Sequence, residues 1–125
     1  IPVVTTTASN AEMCKYFINC FLATKVTFAN QMFKICQNNN LSYETVKNLS
    51  LFDPRIGRSH LAVPGPDGDY GFGGHCFPKD LAAMIKFGTT AGEETSFLQS
   101  VQDFNNICRR NRDWELMKGR AISED

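Results

Sequence analysis

The sequence predicts an all-α domain built on one long helix. Three observations carry this reading. Apolar residues recur at helical spacing from Met13 to Cys36 with no proline or glycine between them. No strand pattern of useful length follows residue 7. Helix-start signals recur down the chain at Ser9, Ser42, Pro78 and Thr95. The 125 residues are enough for one domain with a real core.

The first helix opens at Ser9 to Glu12 as a capping box, the serine bonding the amide three residues on and the glutamate reaching back. Its apolar stripe runs through Met13, Phe17, Cys20 and Phe21, skips Thr24, and resumes at Phe28, Met32 and Cys36. Asn38-Asn39-Asn40 ends it, giving a rod of roughly 40 Å that spans a domain or meets a copy of itself. Lys15 and Asn19 lie four apart and so share a face, to which Asn30 returns. The plain alternative for Lys15 and Asn19 is a solvated helix side.

Ser42 caps a second helix, with Glu44 in its first turn and Tyr43, Val46, Leu49 and Leu51 on a mixed face; it ends before Asp53-Pro54. Arg55, in DPRIG, is either a surface arginine or a clamp for phosphate or carboxylate. The loop SHLAVPGPDGDY follows, and an ordered connection that long is more often functional than not.

The densest stretch is GFGGHCFPKDL, Gly71 to Leu81. Gly71, Gly73 and Gly74 permit positive φ and close approach of another molecule. Pro78 suits the first residue of a helix, which puts Cys76 at the helix mouth. There the helix dipole, with Lys79 if it leans inward, favours thiolate over thiol. Asp80, in the first turn, could orient a water or a neighbouring cation. The plainer alternative is a Gly-rich turn, a half-buried cysteine and an ordinary helix start. The helix continues through Leu81, Met84, Ile85 and Phe87 and closes at Gly88. Thr95 caps the last long helix, with Phe97, Leu98, Val101, Phe104, Ile107 and Cys108 as its core stripe. CRRNR then places three arginines near its C-terminus, where cations are favoured; Trp114, Leu116 and Met117 form a closing turn, and KGRAISED is polar.

Lysine plus arginine equals aspartate plus glutamate at 13 each, so no global field draws in nucleic acid or an anionic membrane. No uninterrupted apolar run of about 18 residues offers a membrane span. The five cysteines are odd in number and lack CxxC or Cys/His zinc spacing. That argues for reduced thiols in the cytoplasm and no metal site. Cys14, Cys20, Cys36 and Cys108 read as small buried hydrophobes. The start, IPVVTTTAS, has neither an initiator methionine nor a signal-peptide pattern and reads as a chain cut from something longer.

Lys15 and Asn19 in EMCKYFINCFLATKVTFANQ, Arg55 in DPRIG, and Cys76 and Asp80 in GFGGHCFPKD form an ordered set. It resembles the central domain of the UDP-glucose/GDP-mannose dehydrogenase family, from residue 9 to about 110. The resemblance implies an all-helical domain, 6-phosphogluconate-dehydrogenase-C-terminal-like, forming a homodimer through the long helix over residues 10–39. Residues 1–8 would be a linker remnant from an N-terminal Rossmann domain, 9–112 the catalytic and dimerisation domain, and 113–125 a tail. The family oxidises the C6 alcohol of a nucleotide sugar twice, here UDP-glucose to UDP-glucuronate, with two NAD. The NAD would be bound mainly by the missing domain, with at most a contact near Cys76.

On this resemblance Cys76 is the nucleophile, passing through a thiohemiacetal and a thioester. Lys15 stabilises the oxyanion, Asn19 stands beside it, and Asp80 positions Lys15 or the water. Gly73 supports the sugar nucleotide by its backbone, Arg55 reaches the neighbouring subunit's substrate, and His60, Leu61, Ala62, Val63 and Pro64 contact substrate. VPGPDGDY reads as an insertion, and the chain has no GxGxxG fingerprint. The same framework serves GDP-mannose and the N-acetylated UDP-sugars. Two readings of other classes stand beside it: a helical dimer module with an idle thiol, and a cysteine hydrolase using His75 or His60 as base. The second is disfavoured because consecutive side chains, 75 and 76, normally point apart.

Overall fold

The computed structural model describes residues 8–110. Among them the chain is all helical: α1 (Ala8–Asn38), α2 (Tyr43–Ser50), α3 (Cys76–Thr90) and α4 (Ser96–Cys108), with no strand. The closing turn expected at Trp114, Leu116 and Met117, and Arg112, lie outside the described residues.

α1 runs unbroken for 31 residues. Its threonines do not interrupt it because their hydroxyls bond back one turn, Thr24 to the Cys20 carbonyl at 2.7 Å and Thr27 to that of Ala23 at 2.8 Å. The helix already starts at Ala8, so Ser9 lies inside its first turn rather than at the cap. Its end follows the expected asparagines. Asn40 takes φ of 57°, and the amides of Asn39 and Leu41 both donate to the Cys36 carbonyl, a left-handed helix stop.

The buried face of α1 differs from the expected stripe. Cys20, Ala23, Thr27, Ala29, Asn30 and Cys36 are buried, while Met13, Phe17, Phe21 and Phe28 are exposed. Small side chains let neighbouring backbones approach closely, which bulky rings would prevent. α3 therefore packs along the small-residue face. Val26 and Phe77 share one cavity wall, and Met13 and Tyr16 share another with Met84, so α1 and α3 run antiparallel.

Two cores result. The first gathers Cys20, Ala23, Phe72, Leu81 and Val101, joining α1, α3 and α4. The second gathers Ala29, Cys36 and Tyr43, with Phe33, Leu61 and Val63 against it. α2 is capped as expected, Ser42 Oγ accepting from the Thr45 amide at 3.2 Å.

α3 starts at Cys76, two residues before Pro78, and runs through Gly88 to stop at Gly92, whose φ is 83°. Gly88 serves packing instead of termination: a Cβ there would sit 2.7 Å from the Thr95 methyl. Thr95 stands at the α4 cap position without capping, its hydroxyl taken by Thr89 and Gln99. In α4 the buried stripe is Val101, Asn105 and Cys108, whereas Phe97 and Ile107 face outward. Cys14 is exposed, unlike buried Cys20, Cys36 and Cys108. Among the described residues no helix is long and apolar enough to cross a membrane.

Candidate active site

The long connection between α2 and α3 is held against both cores. Tyr43 donates its hydroxyl to the Leu61 carbonyl at 2.7 Å. The stretch 60–64 then alternates: Leu61 and Val63 pack into the second core, while His60 and Ala62 line a cavity of about 440 Å³. Pro64 is exposed and follows a cis peptide bond. His60 adopts φ of 65°, a left-handed conformation rare outside glycine and found at binding sites, and its ring lies 5.7 Å from that of Phe77. Gly73, Phe77 and Arg109 complete this side of the cavity.

The PGPDGD turn is pinned from α4's end. Arg109, its side chain only 2% exposed, donates to Asp67 at 2.7 Å and lies 3.6 Å from Asp69. Arg110 covers the Tyr70 ring at 5.4 Å. The hydrogen bond from Arg109 is the main cause that holds the Asp67 carboxyl below its usual range, against some desolvation. Two of the three arginines expected to decorate a helix end thus tie down the presumed insertion.

The backbone entering α3 is fixed by two asparagines. Asn30 Oδ1 accepts from the Gly71 amide at 3.0 Å. Asn105 Oδ1 accepts from the Phe72 amide at 2.7 Å, and its Nδ2 donates to the Phe72 carbonyl at 2.9 Å. Gly71 has φ of 68°, and a Cβ there would overlap Asn105 Oδ1.

Cys76 is the first residue of α3 and is exposed. One turn on, Asp80 is 1% exposed, and its Oδ2 accepts from Asn19 Nδ2 at 2.6 Å. The other oxygen, Oδ1, is buried without a hydrogen-bond partner among the described residues. The structure therefore joins Asn19 to Asp80 across 61 residues of sequence. Lys15 is not joined to them: it is exposed, its ammonium 5.6 Å from the centre of the Tyr16 ring. With the helices antiparallel, Lys15 and Cys76 flank the Asn19–Asp80 bond on opposite sides.

Beside that bond, Cys20 donates its thiol to the Asp80 carbonyl at 3.7 Å. Burial first, and then the Asp80 carboxylate, push this thiol up to about 11, so it stays protonated and inert at neutral pH.

Arg55 stands apart from the cavity. Its side chain is 86% exposed and grips Asp53 with two nitrogens, at 3.0 and 2.7 Å. Lys25 fastens the same turn to α1 by donating to the Gly57 carbonyl at 3.0 Å. Among the described residues no group of three or more His, Cys, Asp or Glu could hold a metal ion.

Sequence reasoning missed Asn105 and the pairing of Arg109 with Asp67. The signal for Asn105 was present: it lies four residues after Val101 and three before Cys108, a polar residue at a core position.

Residues 9–107 match the UDP-glucose/GDP-mannose dehydrogenase family, central domain. The chain is 36% identical to the UDP-glucose 6-dehydrogenase TuaD of Bacillus subtilis, over 98% of this chain and 27% of that protein. It is 42% identical to the UDP-glucose 6-dehydrogenase AglM of Haloferax volcanii, over 84% of this chain and 23% of that protein. With the UDP-glucose 6-dehydrogenase of Pseudomonas aeruginosa it shares 38% identity over 76% of this chain and 20% of that protein. The chain thus spans about a quarter of the length of the curated relatives it matches. On the matched residues and these identities, the chain belongs to the UDP-glucose/GDP-mannose dehydrogenase family and carries its central domain.

Proposed function

We propose that this chain is the central catalytic and dimerisation domain of a cytoplasmic, NAD-dependent UDP-glucose 6-dehydrogenase that forms UDP-glucuronate. The observation that carries the reading is an exposed thiol at the first residue of α3, one turn from a buried carboxylate tied to Asn19. The names of the relatives support UDP-glucose over GDP-mannose or an N-acetylated UDP-sugar.

NAD does not fit the described residues, which contain four helices and no βαβ unit; it would be held by elements outside them. When bound, it supplies the hydride acceptor. The chain's own part is acyl chemistry. Cys76 Sγ would add to the C6 aldehyde to give a thiohemiacetal, and after oxidation would carry the uronyl group as a thioester until water releases it. Asp80 Oδ1, a buried acceptor with no donor among the described residues, would take a hydrogen bond from that water or from Lys15. Lys15 would leave the Tyr16 ring to meet the oxyanion. His60, Ala62 and Gly73 line a cavity roomy enough for part of a sugar nucleotide, while Leu61, Val63 and Pro64 would act by holding that lining in place.

Dimerisation through α1 is supported by its outward rings: Phe17, Phe21 and Phe28 are 71%, 57% and 62% exposed. In such a dimer Arg55, which is exposed and does not line its own chain's cavity, would serve the partner's substrate. The test is the full-length protein with UDP-glucose, GDP-mannose and the two N-acetylated UDP-sugars as separate substrates. Two NADH per UDP-glucose are expected, with uronate formation abolished in Cys76→Ala at unchanged thermal stability. Uronate formation by Cys76→Ala would refute the nucleophile.

A further inference from the structure

Two helices converge on two consecutive residues of the glycine loop. Asn30 of α1 takes the Gly71 amide and Asn105 of α4 takes the Phe72 amide, at 3.0 and 2.7 Å. Both asparagines are 3% exposed. Neither side chain can turn over without loss, because each spends its Nδ2 on a carbonyl: Asn30 on Val26 at 2.8 Å and Asn105 on Phe72 at 2.9 Å. Asn105 thus bonds both the N–H and the C=O of Phe72, holding the two peptide groups on either side of its Cα. One amide group fixes that backbone in position and in orientation.

An asparagine at this place does not serve core volume. Val101 and Cys108 mark the same stripe of α4 as apolar, so an apolar residue at 105 would continue it. The polar choice makes sense only if the Phe72 backbone must be held. The neighbouring glycine agrees, since a Cβ at Gly71 would overlap Asn105 Oδ1. What is held leads directly to the chemistry: Phe72 and Gly73 line the 440 Å³ cavity, and Cys76 follows four residues after Phe72.

We propose that Asn105, seconded by Asn30, is the positioning residue of the glycine loop, fixing Phe72 so that the Gly73 backbone and the Cys76 thiol meet substrate in register. The inference rests on the assignment of Cys76 as nucleophile. Asn105 touches no substrate and acts only through the loop.

The experiment compares full-length Asn105→Ala and Asn105→Asp with Val101→Ala, a core substitution on the same helix. Asn105→Asp keeps the acceptor for the Phe72 amide and forfeits the donor to its carbonyl, so it reads the clamp even if Asn105→Ala fails to fold. At a temperature well below unfolding, kcat is expected to fall on the order of tenfold to a hundredfold in the Asn105 variants and to stay near wild type in Val101→Ala, because misplacement by about 1 Å costs that much. Amide hydrogen exchange at Gly71 and Phe72 should quicken in the Asn105 variants while α1 and α3 core amides keep their protection.

Exchange at Phe72 no faster than in Val101→Ala would overturn the proposal, and so would faster exchange with kcat equal to that control. If the wild type oxidised no nucleotide sugar, the proposed function would fail on its own. Exchange at Phe72 and the rate of Cys76 alkylation by iodoacetamide would then decide on Asn105: both altered upholds it, either unchanged overturns it.

Discussion

The glycine loop and the arginine turn are both rich in candidate chemistry, and they are built in opposite ways. Gly71 and Phe72 are buried, held by side chains from two helices, and lead into a helix whose Asp80 is sealed beneath it. Arg55 is nearly all in water, and its carboxylate partner sits two residues away on the same turn. The first segment's geometry is settled by the chain's own core. The second offers a guanidinium outward, set in direction by Asp53 and carrying little of the fold. A residue that serves its own site is best fixed by long-range contacts; one that serves a neighbouring molecule must stay at the surface, where a local partner is the available way to orient it.

Three substitutions can break or sharpen this contrast. Gly71→Ala should weaken the fold most, by roughly 1–3 kcal/mol, since alanine dislikes φ near 68° and its methyl would displace Asn105. Denaturant unfolding of the full-length protein checks it. An unchanged midpoint would mean the loop is not held as described.

Arg109→Met should cost less, about 1–2 kcal/mol, because the Asp67 side of the pair is half open to water and is screened. Its signature is pH dependence. Asp67 has a folded value lowered by Arg109, so its contribution is present above the ordinary carboxyl range and is lost as pH falls through that lowered value. A pH series of unfolding midpoints should therefore lose this acid-side decline in Arg109→Met, leaving a flatter curve.

Arg55→Ala should leave the unfolding midpoint where it was and depress activity alone. Mixing Arg55→Ala with Cys76→Ala subunits should then restore about a quarter of wild-type activity, as random exchange makes half the dimers mixed, each with one complete site. No recovery would place Arg55 in its own subunit's site or in none.

Much of this was legible in sequence. The end of α1 at three asparagines and the cap at Ser42 are local signals and appear as read. Cys76, Asp80 and Asn19 stood out by motif and spacing, and the structure joins the last two. The inward face of α1 did not. The helix has one apolar face of rings and a small-residue face of Cys20, Ala23 and Thr27, and small residues carry weak hydropathy although they allow the closest packing. The pairing of Arg109 was not legible, since its partner lies 42 residues away, and Asn105 showed only as a polar residue on a core stripe, its partner being 33 residues away with no local pattern to announce it.

The Asn19–Asp80 bond also bears on how the chain must fold. It closes 61 residues, spanning the rest of α1, all of α2 and the long connection. Helices can form within themselves early, but that closure has an entropic cost recovered only once α3 has docked on α1. The carboxylate and its amide therefore come together no earlier than the docking of α3 on α1. A partly folded chain, however helical, would carry the thiol without the buried acid behind it, so that reactivity of the kind proposed arises with the finished fold and not before it.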